Sequence, residues 1–264
     1  MLSAKGLQIT FNAGTPMENR ALRGLDLTIP SGEFVTVIGS NGAGKSTLLS
    51  ALSGDLIVDG GHIVIDDVDV TSLASWQRSQ LVSRVFQDPL AGTCEALTIE
   101  ENLALAWRRG HPRSLSLALN KELRDIFRAR LSTLGLGLEK RLKDSMGLLS
   151  GGQRQAVSLL MAALQPSRIL LLDEHTAALD PKTAAFVLEL TNKIVADGRL
   201  TTMMVTHSMR QALTHGSRTV MLHEGRVVLD VSGDERSRMD VPDLLHLFER
   251  TRGERIEDDA LLLG

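Results

Sequence analysis

The sequence predicts an α/β fold: a mainly parallel sheet flanked by helices, with an antiparallel β subdomain and an α-helical subdomain attached. Three observations carry this expectation. Apolar runs at 33–38, 168–173 and 200–206 have the continuous hydrophobic character of strands covered on both faces. Helical patterns at 46–52, 150–164 and 181–196 alternate with them, the order that builds β-α-β units. The N-terminal segments instead alternate polar and apolar residues, and residues 98–142 switch to helical spacing.

In chain order, Leu7–Phe11 and Leu25–Ile29 repeat at strand period, and Glu33–Ile38 reads as a buried strand leading into a helix that begins at Ser46. Gly60-Gly61 precedes a short strand at His62–Asp66, and Leu81–Gln87 reads as a buried strand or its edge. Thr98–Leu142 is mostly helical, interrupted at Gly110-His111-Pro112, and Ser150–Leu164 is a helix stopped by Gln165-Pro166. Arg168–Asp173 is a strand ending in acid, followed by a helix at Pro181–Ala196 and a strand at Leu200–Thr206. Thr219–Leu222 and Arg226–Leu229 flank Glu224-Gly225 as a hairpin-like pair. After Ser232-Gly233 the chain is charged and helix-prone, and its tail at Ile256–Gly264 either docks a partner or frays. The organisation expected is one domain over 1–232, with the α-helical subdomain at about 90–160 inserted in it, and a C-terminal helical extension at 233–264.

Composition narrows the function classes. The chain has 264 residues, 43% hydrophobic and 23% charged, an ordinary globular balance. A single cysteine, Cys94, excludes a disulfide framework or a zinc cluster. A net charge of −3 and the absence of Tyr argue against a nucleic-acid surface. No apolar run approaches the roughly 18 residues of a membrane span, and Met1–Lys5 leads into a strand pattern without a secretory h-region, so a cytosolic location is expected. Between Trp107 and Lys143, basic residues (Arg108, Arg109, Arg113, Lys121, Arg124, Arg128, Arg130, Lys140, Arg141, Lys143) outnumber Glu122, Asp125 and Glu139. That stretch reads either as a solvated helical face or as one turned toward anionic lipid headgroups.

The chemistry begins at Gly39-Ser40-Asn41-Gly42-Ala43-Gly44-Lys45-Ser46-Thr47. Glycines let the backbone wrap so that its N–H groups point inward at an anion. Lys45 reaches β- and γ-phosphates, and the Ser46 hydroxyl is a Mg2+ ligand. A strand before and a helix after are the context this motif needs, and the helix N-terminus adds its positive dipole end. A nucleoside triphosphate bound by a P-loop NTPase core follows.

Four further elements narrow this. Asp173-Glu174 ends an apolar strand, where one carboxylate holds Mg2+ through its water shell and the next orients or deprotonates the attacking water. Leu149-Ser150-Gly151-Gly152-Gln153 opens a helix and reads as a second anion site, or as a capped helix start. One triphosphate does not need two cradles from one chain; a symmetric dimer in which each copy completes the other's site resolves the surplus. Gln87 and His207 follow predicted strands. Each is either a satisfied polar residue or a ligand-facing one, since α/β sheets bind ligands at strand C-termini.

Together, in this order and from Phe11 to the hairpin near Gly225, these elements resemble the nucleotide-binding subunit of ATP-binding-cassette transporters. The resemblance implies ATP and Mg2+ as cofactors and a role for each matching position. Phe11 stands where the family places an aromatic that stacks on adenine, Phe here rather than the more usual Tyr. Gln87 is similar to the Q-loop glutamine that senses Mg2+ and the membrane partner. Ser150, Gly151, Gly152 and Gln153 match the signature that holds the γ-phosphate of the opposite subunit's ATP. Asp173 matches the Mg2+-associated carboxylate, Glu174 the catalytic base, His207 the switch histidine, and Asp180 the loop linking the two sites across the dimer.

One departure stands out: the family commonly has Pro where this chain has His175. His175 occupies either a passive loop position or one that makes turnover depend on pH near neutrality. The stretch from Asp173 to Asp180 is similar to a subgroup of bacterial ATPases paired with importer-type permeases and substrate-binding proteins, some linked to uptake of amino acids, aromatic ones included. The resemblance thus implies a homodimeric ATPase motor, peripheral at the cytoplasmic face of the inner membrane. It would act on integral membrane permease subunits, be served indirectly by a substrate-binding protein, and bind no nucleic acid. An exporter or lipid-transport ATPase is the alternative. A soluble relative acting on DNA or ribosomes is disfavoured by the single cassette and the short span from Gln87 to Leu149.

Overall fold

The computed structural model describes residues 1–111 and 119–252; Pro112, Arg113 and the tail at Ile256–Gly264 lie outside the described residues. Two strands, β1 (Leu2–Phe11) and β2 (Asn19–Ile29), open the chain, followed by β3 (Phe34–Gly39), α1 (Lys45–Ser53), β4 (Gly60–Ile65), β5 (Val68–Asp69), α2 (Ser75–Arg78) and β6 (Val82–Val85). Next come α3 (Ile99–Trp107), α4 (Lys121–Ser132), 3₁₀ turns at Leu138–Lys140 and Met146–Leu148, α5 (Gly151–Ala163), β7 (Ile169–Asp173), α6 (Pro181–Gly198) and β8 (Thr201–Val205). The remaining elements are α7 (Met209–Thr214), β9 (Arg218–His223), β10 (Arg226–Ser232), α8 (Gly233–Ser237) and α9 (Val241–Arg252). The chain divides into two compact units, Met1–Arg78 with everything from Arg199 onward, and Ser79–Gly198.

In the first unit β1 pairs antiparallel with β2 and β4, with Leu2 opposite both Ile29 and Ile65. Leu2, Ala4, Leu7, Ile9, Leu25, Leu27 and Ile29 are buried, so the period-2 pattern of the sequence maps onto one covered face. A second set of strands centres on β3, which is buried at every position and runs parallel to both β8 and β9. The β9–β10 hairpin appears where Glu224-Gly225 predicted it, with φ of 44° and 74° at the two turn residues as a primed turn requires. The structure adds that β9 lies beside β3, a pairing between distant segments that no local pattern signals. The charged segment from Gly233 forms two helices, α8 and α9, and Leu244 and Phe248 of α9 pack with Ile38, Met209, Ala212 and Met221 in one buried cluster. Arg236 completes that attachment by donating to the Ala212 and His215 carbonyls at 2.7 and 2.6 Å, closing the C-terminal end of α7.

In the second unit β6 and β7 are parallel, Val82 opposite Ile169 and Val85 opposite Leu172. The strand predicted to run to Gln87 stops at Val85. Asp88 accepts a hydrogen bond from the Leu90 N–H at 2.9 Å, forming a local turn, and Pro89 cannot continue a ladder. Thr98 and Glu101 form a reciprocal capping box at the start of α3. Several members of the basic stretch have internal partners: Arg109 donates to the Ala162 and Gln165 carbonyls, Arg124 pairs with Glu100, and Arg128 with Asp125. Burial pushes the Arg109 guanidinium below its ordinary pKa.

Candidate nucleotide site

The first unit carries the cradle, Phe11 and His207. The loop from Gly39 to Gly44 connects β3 to α1, and Gly44 occupies the N-cap position with φ 100°, a conformation that L side chains rarely adopt. A Cβ there would also lie 2.6 Å from the Ala21 carbonyl oxygen, so the position admits glycine alone. The hairpin braces the loop from behind: the Gly225 N–H donates to the Ala43 carbonyl at 3.0 Å, and the Gly225 carbonyl accepts from the Arg23 N–H at 3.0 Å. Lys45 is 5% exposed, and its ammonium donates to the Gly39 and Ser40 carbonyls at 2.7 and 3.1 Å. Its charge is therefore held at the centre of the loop. Asn41, Gly42 and Ser46 are exposed at the mouth and Thr47 is half-buried. At the other end of α1, fully buried Arg78 donates to the Ala51 and Leu52 carbonyls at 2.7 and 3.0 Å, anchoring the helix whose N-terminus forms the cradle. Burial lowers the Arg78 pKa, with Asp55 and Asp69 opposing. Phe11 is an exposed ring at the end of β1. His207 lies half-buried two residues beyond β8, at the strand's C-terminal end, next to Ser208, which caps α7.

The second unit carries the remaining predicted residues. Ser150 and Gln153 cap each other at the start of α5, the Gln153 N–H donating to Ser150 Oγ at 3.3 Å and the Ser150 N–H to Gln153 Oε1 at 3.2 Å. The capped-start reading thus describes the local geometry, and the exposed Gly151 leaves the helix terminus approachable. A Cβ on buried Gly152 would collide with the Thr183 methyl. Arg154 fixes the preceding loop, pairing with Glu95 at 3.0 Å and donating to the Gly147 and Leu149 carbonyls, both at 3.3 Å. Asp173 ends the fully buried β7. Glu174, 9% exposed, has φ 44°, an uncommon backbone conformation for a non-glycine residue of the kind that concentrates at functional sites. Asp180 accepts from the Thr183 N–H at 3.1 Å at the start of α6, where Pro181 is the first helical residue. Hydrogen bonds from the Thr183 side chain, then its backbone, hold the Asp180 carboxyl below its ordinary pKa. Gln87 is exposed beyond β6.

His175 lies in the turn between β7 and α6. It is 2% exposed, and its Nε2 lies 2.9 Å from Thr191 Oγ1. The Thr191 hydroxyl donates to the Val187 carbonyl at 2.8 Å, so it accepts from the histidine, which is protonated at Nε2.

The Ser46 hydroxyl in the first unit, and the Gln87 amide and Asp173 carboxylate in the second, each offer an oxygen, the donor type that suits a hard Mg2+ ion. Among the described residues no group of three or more His, Cys, Asp or Glu is arranged to hold a metal. No helix of the described residues is long and apolar enough to cross a membrane.

Comparison with known proteins agrees with this chemistry. The family model described as ABC transporter matches residues 22–177. A tyrosine transport ATP-binding protein of Clostridioides difficile (strain R20291) is 46% identical over 249 residues, covering 94% of this chain and 99% of that relative. A thiamine import ATP-binding protein of Yersinia pestis is 37% identical over 205 residues, covering 78% of this chain and 82% of that relative. Among solved structures, the dimeric ATP-binding cassette MJ0796 in a post-hydrolysis state bound to ADP and Pi is similar with a TM-score of 0.75 and 28% identity, over 88% of this chain and 98% of its own.

Proposed function

The chain belongs to the ABC transporter family of ATP-hydrolysing cassettes, and on that premise we propose that it is the motor subunit of an importer of small solutes such as amino acids. It works as a homodimer on integral membrane permease subunits at the cytoplasmic face of the inner membrane, with a substrate-binding protein delivering cargo. Residues 1–232 constitute the ATPase domain, with the helical subdomain at about 90–160 inserted, and 233–264 its extension. The observation that carries the reading is the presence in one chain of a phosphate cradle at 39–47 and a second exposed helix terminus at 150–153. The 46% identity to a tyrosine transport ATP-binding protein supports an amino-acid cargo, and the 37% identity to a thiamine import ATP-binding protein supports import.

In this reading Phe11 stacks on adenine. The N–H groups of the loop from Gly39, Ser40, Asn41, Gly42 and Ala43 through Gly44 to Thr47 hold the phosphates, with Lys45 neutralising their charge. Ser46, Gln87 and Asp173 hold Mg2+, which when bound supplies charge stabilisation to the transferring phosphoryl group. Glu174 accepts a proton from the attacking water. Ser150, Gly151, Gly152 and Gln153 present the α5 N-terminus to the γ-phosphate of a second copy's ATP, Asp180 links the two sites, and His207 orients the γ-phosphate side. ATP drives closure because it contacts both copies only when they meet.

Affinity purification of the chain from gently solubilised native membranes, with identification of what co-purifies, tests this. The expected result is a small multi-helix permease together with an exported binding protein. A lipid-transfer or exporter assembly would reverse the direction of transport while keeping the ATPase. Ribosomes, DNA or no membrane protein at all would overturn the transporter reading.

A further inference from the structure

One cation in the Ser79–Gly198 unit sits directly on the carboxylate that the nucleotide chemistry requires. Arg84 projects from β6, and its Nη2 donates to Asp173 Oδ2 at 2.6 Å, with side chains only 13% and 12% exposed. A charge-assisted hydrogen bond this short, in surroundings this dry, is stronger than its surface equivalent. The same guanidinium lies over the Phe86 ring, its Cζ 4.9 Å from the centroid. Phe86 is the residue before Gln87, and its carbonyl accepts from Gln155 Nε2 at 3.2 Å. Gln155 is fully buried on α5, the helix that Ser150-Gly151-Gly152-Gln153 opens. A continuous line of contacts therefore runs from Asp173 through Arg84 and Phe86 to α5.

Resting on the ATPase reading above, we propose that Arg84 is a positioning residue that holds Asp173 in competition with Mg2+, and that its stack on Phe86 ties release of the carboxylate to the segment carrying Gln87. The guanidinium holds Oδ2 of the carboxylate that a hydrated divalent cation would also draw on, and their like charges repel. Arg84 thus raises the Mg2+ concentration at which Asp173 changes partner. The contact with the ring restrains where the guanidinium goes when it lets go, so a shift at Gln87 is felt at Asp173. Lysine at this position keeps the charge and loses the flat face.

The test is binding of a fluorescent ADP analogue, titrated with Mg2+ without turnover, to the wild type, Arg84→Gln, Arg84→Lys and Phe86→Leu. In Arg84→Gln the Mg2+ concentration giving half of the metal-dependent gain in affinity falls about three- to tenfold, while metal-free ADP binding is unchanged. Phe86→Leu shifts the midpoint the same way by less, and Arg84→Lys lies between Arg84→Gln and the wild type. A folded Arg84→Gln with an unchanged or higher midpoint overturns the proposal, as does wild-type affinity indifferent to Mg2+. If Arg84→Gln does not fold, an unchanged midpoint in Phe86→Leu overturns it. Absence of adenine-nucleotide binding by the wild type would instead remove the ATPase reading itself, so the two failures are distinguishable.

Discussion

At Glu174 a buried carboxylate sits on a left-handed backbone, φ 44°, immediately after a strand end, and that arrangement fits a base held in place by its surroundings. On the proposed role of Glu174 as base, Glu174→Gln removes the proton acceptor while keeping shape, so nucleotide binding should persist while ATP turnover falls about 10²–10⁴-fold. Steady-state hydrolysis and equilibrium ATP binding measured on the same preparation check this, and wild-type turnover would refute the assignment. The Gly39–Thr47 loop, the Asp173-Glu174 pair and the Ser150–Gln153 segment could be proposed from sequence because each is a short contiguous stretch whose expected chemistry is local. Arg84 was not, because its partner Asp173 lies 89 positions away, and an isolated arginine in a strand carries no signal of what it faces. Gly225 was read as a turn residue, and its second task of bracing Ala43 depends on a fold-level approach. His175 was left between two readings. Only its burial against Thr191 shows that it ties the turn after Glu174 to α6.

At the level of elements, periodicity located the strands and helices well where one face or both is buried, and failed where a side chain ends an element early. β6 stops at Val85 because Asp88 and Pro89 turn the chain, a local chemistry the apolar run concealed. The extension from Gly233 read only as charged and helix-prone, whereas α9 hides Leu244 and Phe248 in a cluster assembled from α7, β3 and β9. The surroundings of His215, at the C-terminal end of α7, make stability depend on pH. Burial pushes His215 below its ordinary pKa of 6.5, with Arg236 adding to the effect. Above 6.5 the imidazole is neutral in folded and unfolded chain alike. Below it the unfolded chain takes up the proton first, so stability declines until the lowered folded pKa is passed. Denaturant unfolding as a function of pH should show this decline in the wild type and a shallower one in His215→Gln. Equal slopes in the two proteins would contradict it.

Across the molecule, the groups proposed for hydrolysis are divided between the two units. Met1–Arg78 and the chain from Arg199 carry the cradle, Phe11 and His207, while Ser79–Gly198 carries Gln87, Ser150–Gln153, Asp173, Glu174 and Asp180. The α/β class was readable from continuous apolar strands alternating with helices, and the pairing of β3 with β9 was not, since parallel neighbours far apart in sequence leave no local trace. One ATP does not need the cradle and also the helix terminus proposed as a second phosphate site at Ser150–Gln153, and this surplus is the argument for a nucleotide shared between two chains. Its most direct test is the mass in solution of Glu174→Gln, by size-exclusion chromatography with light scattering, with and without Mg-ATP. A monomer that becomes a dimer on adding Mg-ATP and reverts on chelation is expected. A chain that binds ATP stoichiometrically and stays monomeric at every nucleotide concentration would contradict the shared site.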